Sequence, residues 1–354
     1  MPDQDSFVVA TAEKVFTDLA DPQSIIQSRG DAWREPAWAA LQETGLALAW
    51  VPEIHGGAGV SLDEGFAVLR AAGRAALALP LAETMLAAWM LSQGDITSPP
   101  GPLSIAPSQP HDQVVIGSDG RLLGKATQLA FATEVEHFAV LIASNEGAHV
   151  ALVRANDCRI TAGVNLAGEV RASVDLNGVL PLSYGKAPAG LDYAAVLRMG
   201  AAARAQQIAG SLERMLEISV RYATERIAFG KPIGQFQAIQ HNLAKLGGEV
   251  AASLAAAVSA ADTILHEGLA GDAALLEISA AKIRCGQAAE VGAAIAHQVH
   301  GAIGFTDEHI LHRYSLRALS WRDDFGNEVF WSTELGSLVS RVGAGGLWPL
   351  LASR

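Results

Sequence analysis

Residues 221–241 read RYATERIAFGKPIGQFQAIQH, and this stretch decides the architecture. A helix closing on Arg226 runs into the turn Gly230-Lys231-Pro232, and a second helix opens with Gln235-Phe236-Gln237. Gly and Pro at such a junction stop one helix and set the direction of the next. The short connection presents a cation, an aromatic ring and two amides together. That set suits an anionic, partly aromatic ligand such as a dinucleotide. Arginine stays charged and can contact two phosphate oxygens at once, and Phe229 offers a face to a purine.

Helical periodicity spreads outward from the hairpin. Ile208, Leu212, Met215, Ile218 and Tyr222 share a stripe before it; Phe236, Ile239, Leu243, Leu246, Val250 and Leu254 share one after it. Residues 273–300 and 308–321 predict two further helices. Long helices with short links predict an up-and-down four-helix bundle over 191–354. Residues 111–190 read as strands, a small antiparallel β domain. Val114-Val115-Ile116 and Leu122-Leu123 flank Ser118-Asp119-Gly120, a second pair flanks Asn145-Glu146-Gly147, and Asn177-Gly178 is a third hairpin signal. Prolines 99, 100, 102, 107 and 110 mark the entry to this region. Residues 1–110 form an N-terminal helical domain with helices near 8–19, 36–44 and 62–75. The last enters through Ser61, with Glu64 three residues on. Residues 45–57, with Pro52 and Gly56-Gly57, form an ordered turn. The fold class is therefore α+β.

The chain has 354 residues, is 50% hydrophobic and only 18% charged, and carries a net charge of −12. The negative balance argues against nucleic acid as a partner. A mean hydropathy of +0.24 predicts surface buried between subunits, in a dimer or dimer of dimers through the bundle. Two cysteines without C-x-x-C spacing, Cys158 and Cys285, fit a reducing cytoplasm. The polar start MPDQDS is unlike a signal peptide. The apolar stretch 77–90 is broken by Pro80 and Glu83, so no membrane span is expected. G-x-G-x-x-G, G-x-x-x-x-G-K-[ST] and G-x-S-x-G are absent. His297 and His300 lie three apart, as do His309 and His312, without a matching Cys or carboxylate spacing; helix-end or core histidines are the expectation, and no metal site.

Three segments resemble the acyl-CoA dehydrogenase family. Arg226 through Gln237 is similar to its R-x-x-F-G-x-x-I-x-x-F-Q junction. Pro52-Glu53-Ile54-His55-Gly56-Gly57-Ala58-Gly59 is similar to its P-E-x-x-G-G-x-G turn. Gln298-Val299-His300-Gly301-Ala302-Ile303-Gly304-Phe305 resembles its Q-x-x-G-G-x-G-F loop. The resemblance implies an N-terminal helical domain, a middle β domain and a four-helix bundle. It also implies FAD, an acyl-CoA thioester substrate undergoing α,β-dehydrogenation, and an electron-accepting flavoprotein. Arg226, Phe229, Gln237, Gln298 and Gly301 would line the dinucleotide, and glycine at 301 would let backbone approach it closely.

The same resemblance exposes departures. In the family a carboxylate removes the α-proton, from a Glu before Gly near the bundle's end or from a second place on the first bundle helix. Counting back from Gly326 puts Phe325 in the first place, and Ala194 falls in the second, two residues from Asp192. Asp323 and Asp324 adjoin the first place, which leaves Asp324 as the near candidate for a base. One residue along a helix turns a side chain by about 100°, so a neighbour is not equivalent. Asp323, Asp324 and Glu328 are expected as a solvated acidic patch. The family's T-E-P-x-x-G-S-D loop is missing at Ser104–Gln109, and Gln128-Leu129-Ala130-Phe131 replaces the strand covering the flavin edge. Together with Leu311-His312-Arg313-Tyr314, these losses resemble the short subunits of heteromeric members acting on steroid side chains, where a partner supplies the base. The alternative is a non-catalytic binding or scaffolding subunit that keeps the fold.

Overall fold

The computed structural model describes residues 6–144 and 147–352. The expected turn at Asn145-Glu146 lies outside the described residues. Five helices come first: α1 Phe7–Leu19, α2 Pro22–Ser28, α3 Arg34–Glu43, α4 Leu62–Arg74 and α5 Leu81–Gln93. Sequence periodicity missed α2 and α5. α2 starts on Pro22, with the Asp21 carboxylate accepting the Ser24 N–H at 2.9 Å. α5 is buried from Leu81 to Ser92, Glu83 included, so it has no polar face from which an amphipathic period could be read. The 45–57 segment is an ordered turn, with Gly57 pressed so close to Val51 that a Cβ would lie 2.1 Å from its carbonyl oxygen.

The sheet comprises β1 Leu103–Ala106, β2 Gln113–Ile116, β3 Leu122–Ala130, β4 His137–Ser144, β5 Gly147–Arg154, β6 Arg159–Val164, β7 Val170–Asp175 and β8 Ser183–Lys186. Its order is β6-β7-β3-β2-β4-β5-β8, with β1 also on β4. The sheet is mixed, not antiparallel as expected: β1 and β2 both run parallel to β4. Hairpin signals report local antiparallel pairs only. They cannot show that β1 and β2, separated by the proline-bearing loop 107–112, follow one another in the same direction along one edge of β4. Asn177-Gly178 likewise joins strands that are not neighbours, since β7 pairs with β3 and β6 while β8 pairs with β5. Its amide oxygen instead accepts the Gly124 N–H of β3 at 3.0 Å.

The C-terminal part contains α6 Tyr193–Glu225, α7 Gln237–Glu267, α8 Gly271–His300, α9 Leu311–Trp321 and α10 Glu328–Ala352. Asp192 caps α6 by accepting the Ala195 N–H at 2.9 Å. Between α6 and α7, β9 Ile227–Ala228 pairs with β10 Lys231–Pro232. α10, not anticipated as a separate helix, kinks at Gly343 (φ 69°). α6 is the hub, packing on α4, α7, α8 and α9. By length and apolar composition α7 could cross a membrane, contrary to the expectation from sequence; here it packs along α6 and α8. One core cluster joins the N-terminal helices to the bundle, and a second fills the sheet.

Candidate functional site

The α6–α7 junction is a two-residue hairpin. Lys231 pairs with Ala228, and the central residues Phe229 and Gly230 take φ of 50° and 80°. Such a turn needs positive φ at both central positions and ordinarily uses Asn-Gly. Phenylalanine there is strained, and its ring gains no burial in return, since Phe229 is 96% exposed. Arg226 is the C-cap of α6; it is exposed, and no hydrogen bond or ion pair of its side chain occurs among the described residues. Lys231 Nζ sits 4.4 Å above the Phe236 ring, which faces Phe229 edge-on at 6.2 Å.

Because α6 and α8 run the same way, α8 ends at this same end of the bundle, with Tyr222 and His300 stacked at 4.5 Å. Gln237, Gln298 and Gly301 are all exposed here, and Gly301 takes φ 64°. The bundle thus brings the five expected dinucleotide residues to one face. That face offers an unpaired guanidinium, a free aromatic face, two amides and a glycine turn, which fits the phosphates and base of a dinucleotide.

The place expected to hold the base is different. Phe325 is 2% exposed, and its ring lies on Gly200 of α6, where a Cβ would come within 2.3 Å of Phe325 Cδ1. The α6 residue opposite Phe325 is therefore Gly200. Ala194 is exposed, in the first turn of α6. Phe325 also has positive φ, 55°, followed by Gly326 at 92°. Here the strain is held by contacts. Phe325 N–H donates to Ser108 O at 3.0 Å, Trp331 Nε1 donates to Phe325 O at 3.0 Å, and Lys282 Nζ donates to Gly326 O at 2.7 Å and Arg322 O at 2.5 Å.

Asp324 corrects the acidic-patch expectation. It is buried and sits between two guanidinium groups: Arg171 Nη2 at 3.0 Å and Arg204 Nε at 2.9 Å. Arg204 continues to Gln207 Oε1 at 2.5 Å and to Glu83. The chain Glu83–Arg204–Asp324–Arg171 runs from α5 through α6 and the α9–α10 turn to β7. Burial alone would raise the Asp324 pKa, but Arg171 and Arg204 outweigh it and hold the carboxyl below its ordinary value. A carboxylate so held is a poor proton acceptor. Glu328 is likewise paired, with Arg322 Nε at 2.7 Å. Burial lowers the Lys282 ammonium to about 8, against the pull of Asp324, Glu328 and Asp323. A second buried bridge, Arg317 Nε to Glu169 Oε1 at 2.8 Å, also ties α9 to the sheet.

Between the sheet and α9 a cleft of about 280 Å³ remains, lined by Gln109, Gln128, Asn165, Arg171, Ser320 and Asp323 among others. Ligand pockets commonly span about 300–1,000 Å³, so this space lies at the small end of that range. Sequence reasoning missed Glu83, Arg171, Arg204, Lys282 and Gly200. A signal was available for two of them: Glu83 and Arg204 are lone charges in apolar helical runs, and such charges are rarely buried unless paired.

Residues 190–326 match the family profile described as acyl-CoA dehydrogenase, C-terminal domain. Over 330 residues the chain is 27% identical to acyl-CoA dehydrogenase IpdE2 of Mycobacterium tuberculosis, covering 90% of this chain and 91% of that protein. Two solved structures share the fold. The ChsE4-ChsE5 complex from Mycobacterium tuberculosis matches with a TM-score of 0.84 at 23% identity, over 95% of this chain and 97% of that one. The Tcur3481-Tcur3483 steroid ACAD G363A variant matches with a TM-score of 0.82 at 24% identity, over 94% and 97%.

Proposed function

We propose that this chain, which belongs to the acyl-CoA dehydrogenase family, works as the subunit without a base in a heteromeric, FAD-dependent acyl-CoA dehydrogenase. One observation carries the reading: the place for the base is filled by Phe325 packed on Gly200, and the nearest carboxylate, Asp324, is locked between Arg171 and Arg204.

A partner carboxylate removes the α-proton of the thioester, since this chain has no free acceptor at that place. FAD, when bound, supplies the acceptor for the β-hydride. This chain's task is to hold the dinucleotide whose reacting end lies in the partner. Arg226 neutralises phosphate charge, Phe229 covers the base, Gln237 and Gln298 donate or accept at its edges, and Gly301 lets backbone come close. An electron-transferring flavoprotein takes up the electrons. A steroid-derived acyl chain is the substrate class favoured by likeness to the steroid ACAD fold. The unpaired thiols Cys158 and Cys285 suit a reducing cytoplasm.

The test is co-expression with a candidate partner dehydrogenase subunit, beginning with the product of the adjacent reading frame. The expected product is a yellow complex with one flavin per pair of subunits, bleached by an acyl-CoA. Replacing the partner's carboxylate should abolish bleaching, since losing a general base costs about 10²–10⁴-fold. Two flavins per pair, both bleached, would contradict the assignment.

A further inference from the structure

α8 ends on two imidazoles one turn apart, and the following loop folds back over both. His297 stacks on Phe305 at 4.3 Å, and its Nε2 lies 2.8 Å from Ser315 Oγ. His300, 4% exposed, stacks on Tyr222 of α6 and lies 4.7 Å from His309. His309 meets Tyr222 edge-on at 6.4 Å, and His312 Nδ1 lies 2.6 Å from the His309 carbonyl oxygen. Four imidazoles, Tyr222 and Phe305 therefore form one cluster around the 301–305 turn. Among the described residues no three His, Cys, Asp or Glu side chains meet at metal-binding spacing.

The hydrogen bonds fix the protons. His300 Nδ1 lies 2.8 Å from the Ala296 carbonyl, which can only accept, so Nδ1 carries the proton and the buried Nε2 lone pair has no partner. His309 Nδ1 accepts the Leu311 N–H at 3.1 Å, the bond that opens α9. A proton on that nitrogen would set two donors against each other. The charged and titratable groups facing His309 are His300, His312, His297 and Arg221, which disfavour an imidazolium there, and the phenol of Tyr222, which carries no charge. The loop's own carboxylates, Asp307 and Glu308, are exposed. The C-terminal dipole of α8 favours a cation, but burial outweighs it.

We propose that this imidazole cluster is a positioning element that holds the Gln298–Phe305 turn in the shape that receives the nucleotide, and that proton uptake by His297, His300 and His309 releases the turn. The inference rests on the dinucleotide reading above. Burial lowers His297 and His300, with the Ala296 hydrogen bond opposing it at His300, and burial together with the neighbouring imidazoles and Arg221 brings His309 down to about 4. A released ring titrates near the ordinary 6.5. The released form therefore binds more protons, so the turn is held above about pH 6.5 and is lost progressively below it.

Amide hydrogen exchange of the full chain, corrected for intrinsic rates and compared at about pH 7.5 and 5.5, tests this. Amides in 298–313 should lose about tenfold or more of their protection at the lower pH, as uptake of one proton across one pH unit predicts, while those in α7 stay unchanged. His309→Asn keeps an acceptor for Leu311 N–H but cannot take a proton, so its loss of protection between the two values should be clearly smaller than in the wild type, with His297 and His300 left to respond. Protection independent of pH in the wild type, or a pH response unaltered by His309→Asn, would overturn the proposal. A purely structural role would lower protection in the variant equally at both values, which also overturns it. Flavin release from the assembled complex should follow the same pH response. If the turn loosens in acid while flavin retention stays constant, the cluster stands and the nucleotide assignment of this turn falls.

Discussion

Of the phenylalanines with a left-handed backbone among the described residues, Phe131, Phe229 and Phe325, the last two lie in opposite surroundings. Phe325, φ 55°, is buried, and hydrogen bonds from Trp331 and to Ser108 hold its peptide in place. Phe229, φ 50°, stands almost wholly in water on a hairpin beside an unpaired Arg226. Strain that packing determines, as at Phe325, closes a space. Strain that packing does not repay, as at Phe229, keeps a ring available for something else. On the proposed reading, the first is the filled place of the base and the second a bare face for the nucleotide.

The closed region should be the more costly to disturb. Asp324→Ala leaves Arg171 and Arg204 buried without their shared carboxylate. Breaking a buried pair in this way costs about 3–5 kcal/mol, to be read as a lowered denaturant midpoint. Asp324→Asn should also destabilise, so any loss of activity it causes must be separated from loss of fold. An unchanged midpoint would mean the network contributes little.

At the open face the expected loss is in binding. Arg226→Ala removes a charge-assisted phosphate contact worth about 1.5–3 kcal/mol, a roughly tenfold or larger weakening of FAD in the assembled complex. The melting temperature of the chain should stay the same. Unchanged flavin affinity would remove Arg226 from the site.

Much of the open face could be read from sequence, because it is local. Arg226 to Gln237 lie on one continuous junction, and periodicity alone brings the α8 end alongside. The closed region could not be read this way. Asp324 meets Arg171 and Arg204 across 153 and 120 residues, and nothing in the run Arg322-Asp323-Asp324 tells a paired carboxylate from a solvated one. The contact between Phe325 and Gly200 was hidden for a related reason: small residues recur along the start of α6, and only packing shows which one faces the Phe325 ring.

Gly200→Ala should destabilise by about 1–3 kcal/mol, since the added methyl meets the Phe325 ring. In a Phe325→Leu background the cost should shrink, and a double-mutant cycle measures that coupling. Additive effects would show that the two side chains do not compete for one space. The smallest effect is expected at Phe229→Ala. At 96% exposure it should change chain stability by no more than about 0.5 kcal/mol, while weakening flavin retention in the complex. A large stability loss would show that the ring is structural.

The most direct test of the account is the purified chain alone, mixed with FAD, an acyl-CoA and an artificial electron acceptor. The account predicts no substrate-dependent bleaching of flavin and no acceptor reduction, with both appearing once the partner subunit is added. Robust acyl-CoA oxidation by the chain alone, lost in a folded Asp324→Asn variant, would contradict it and make Asp324 the base.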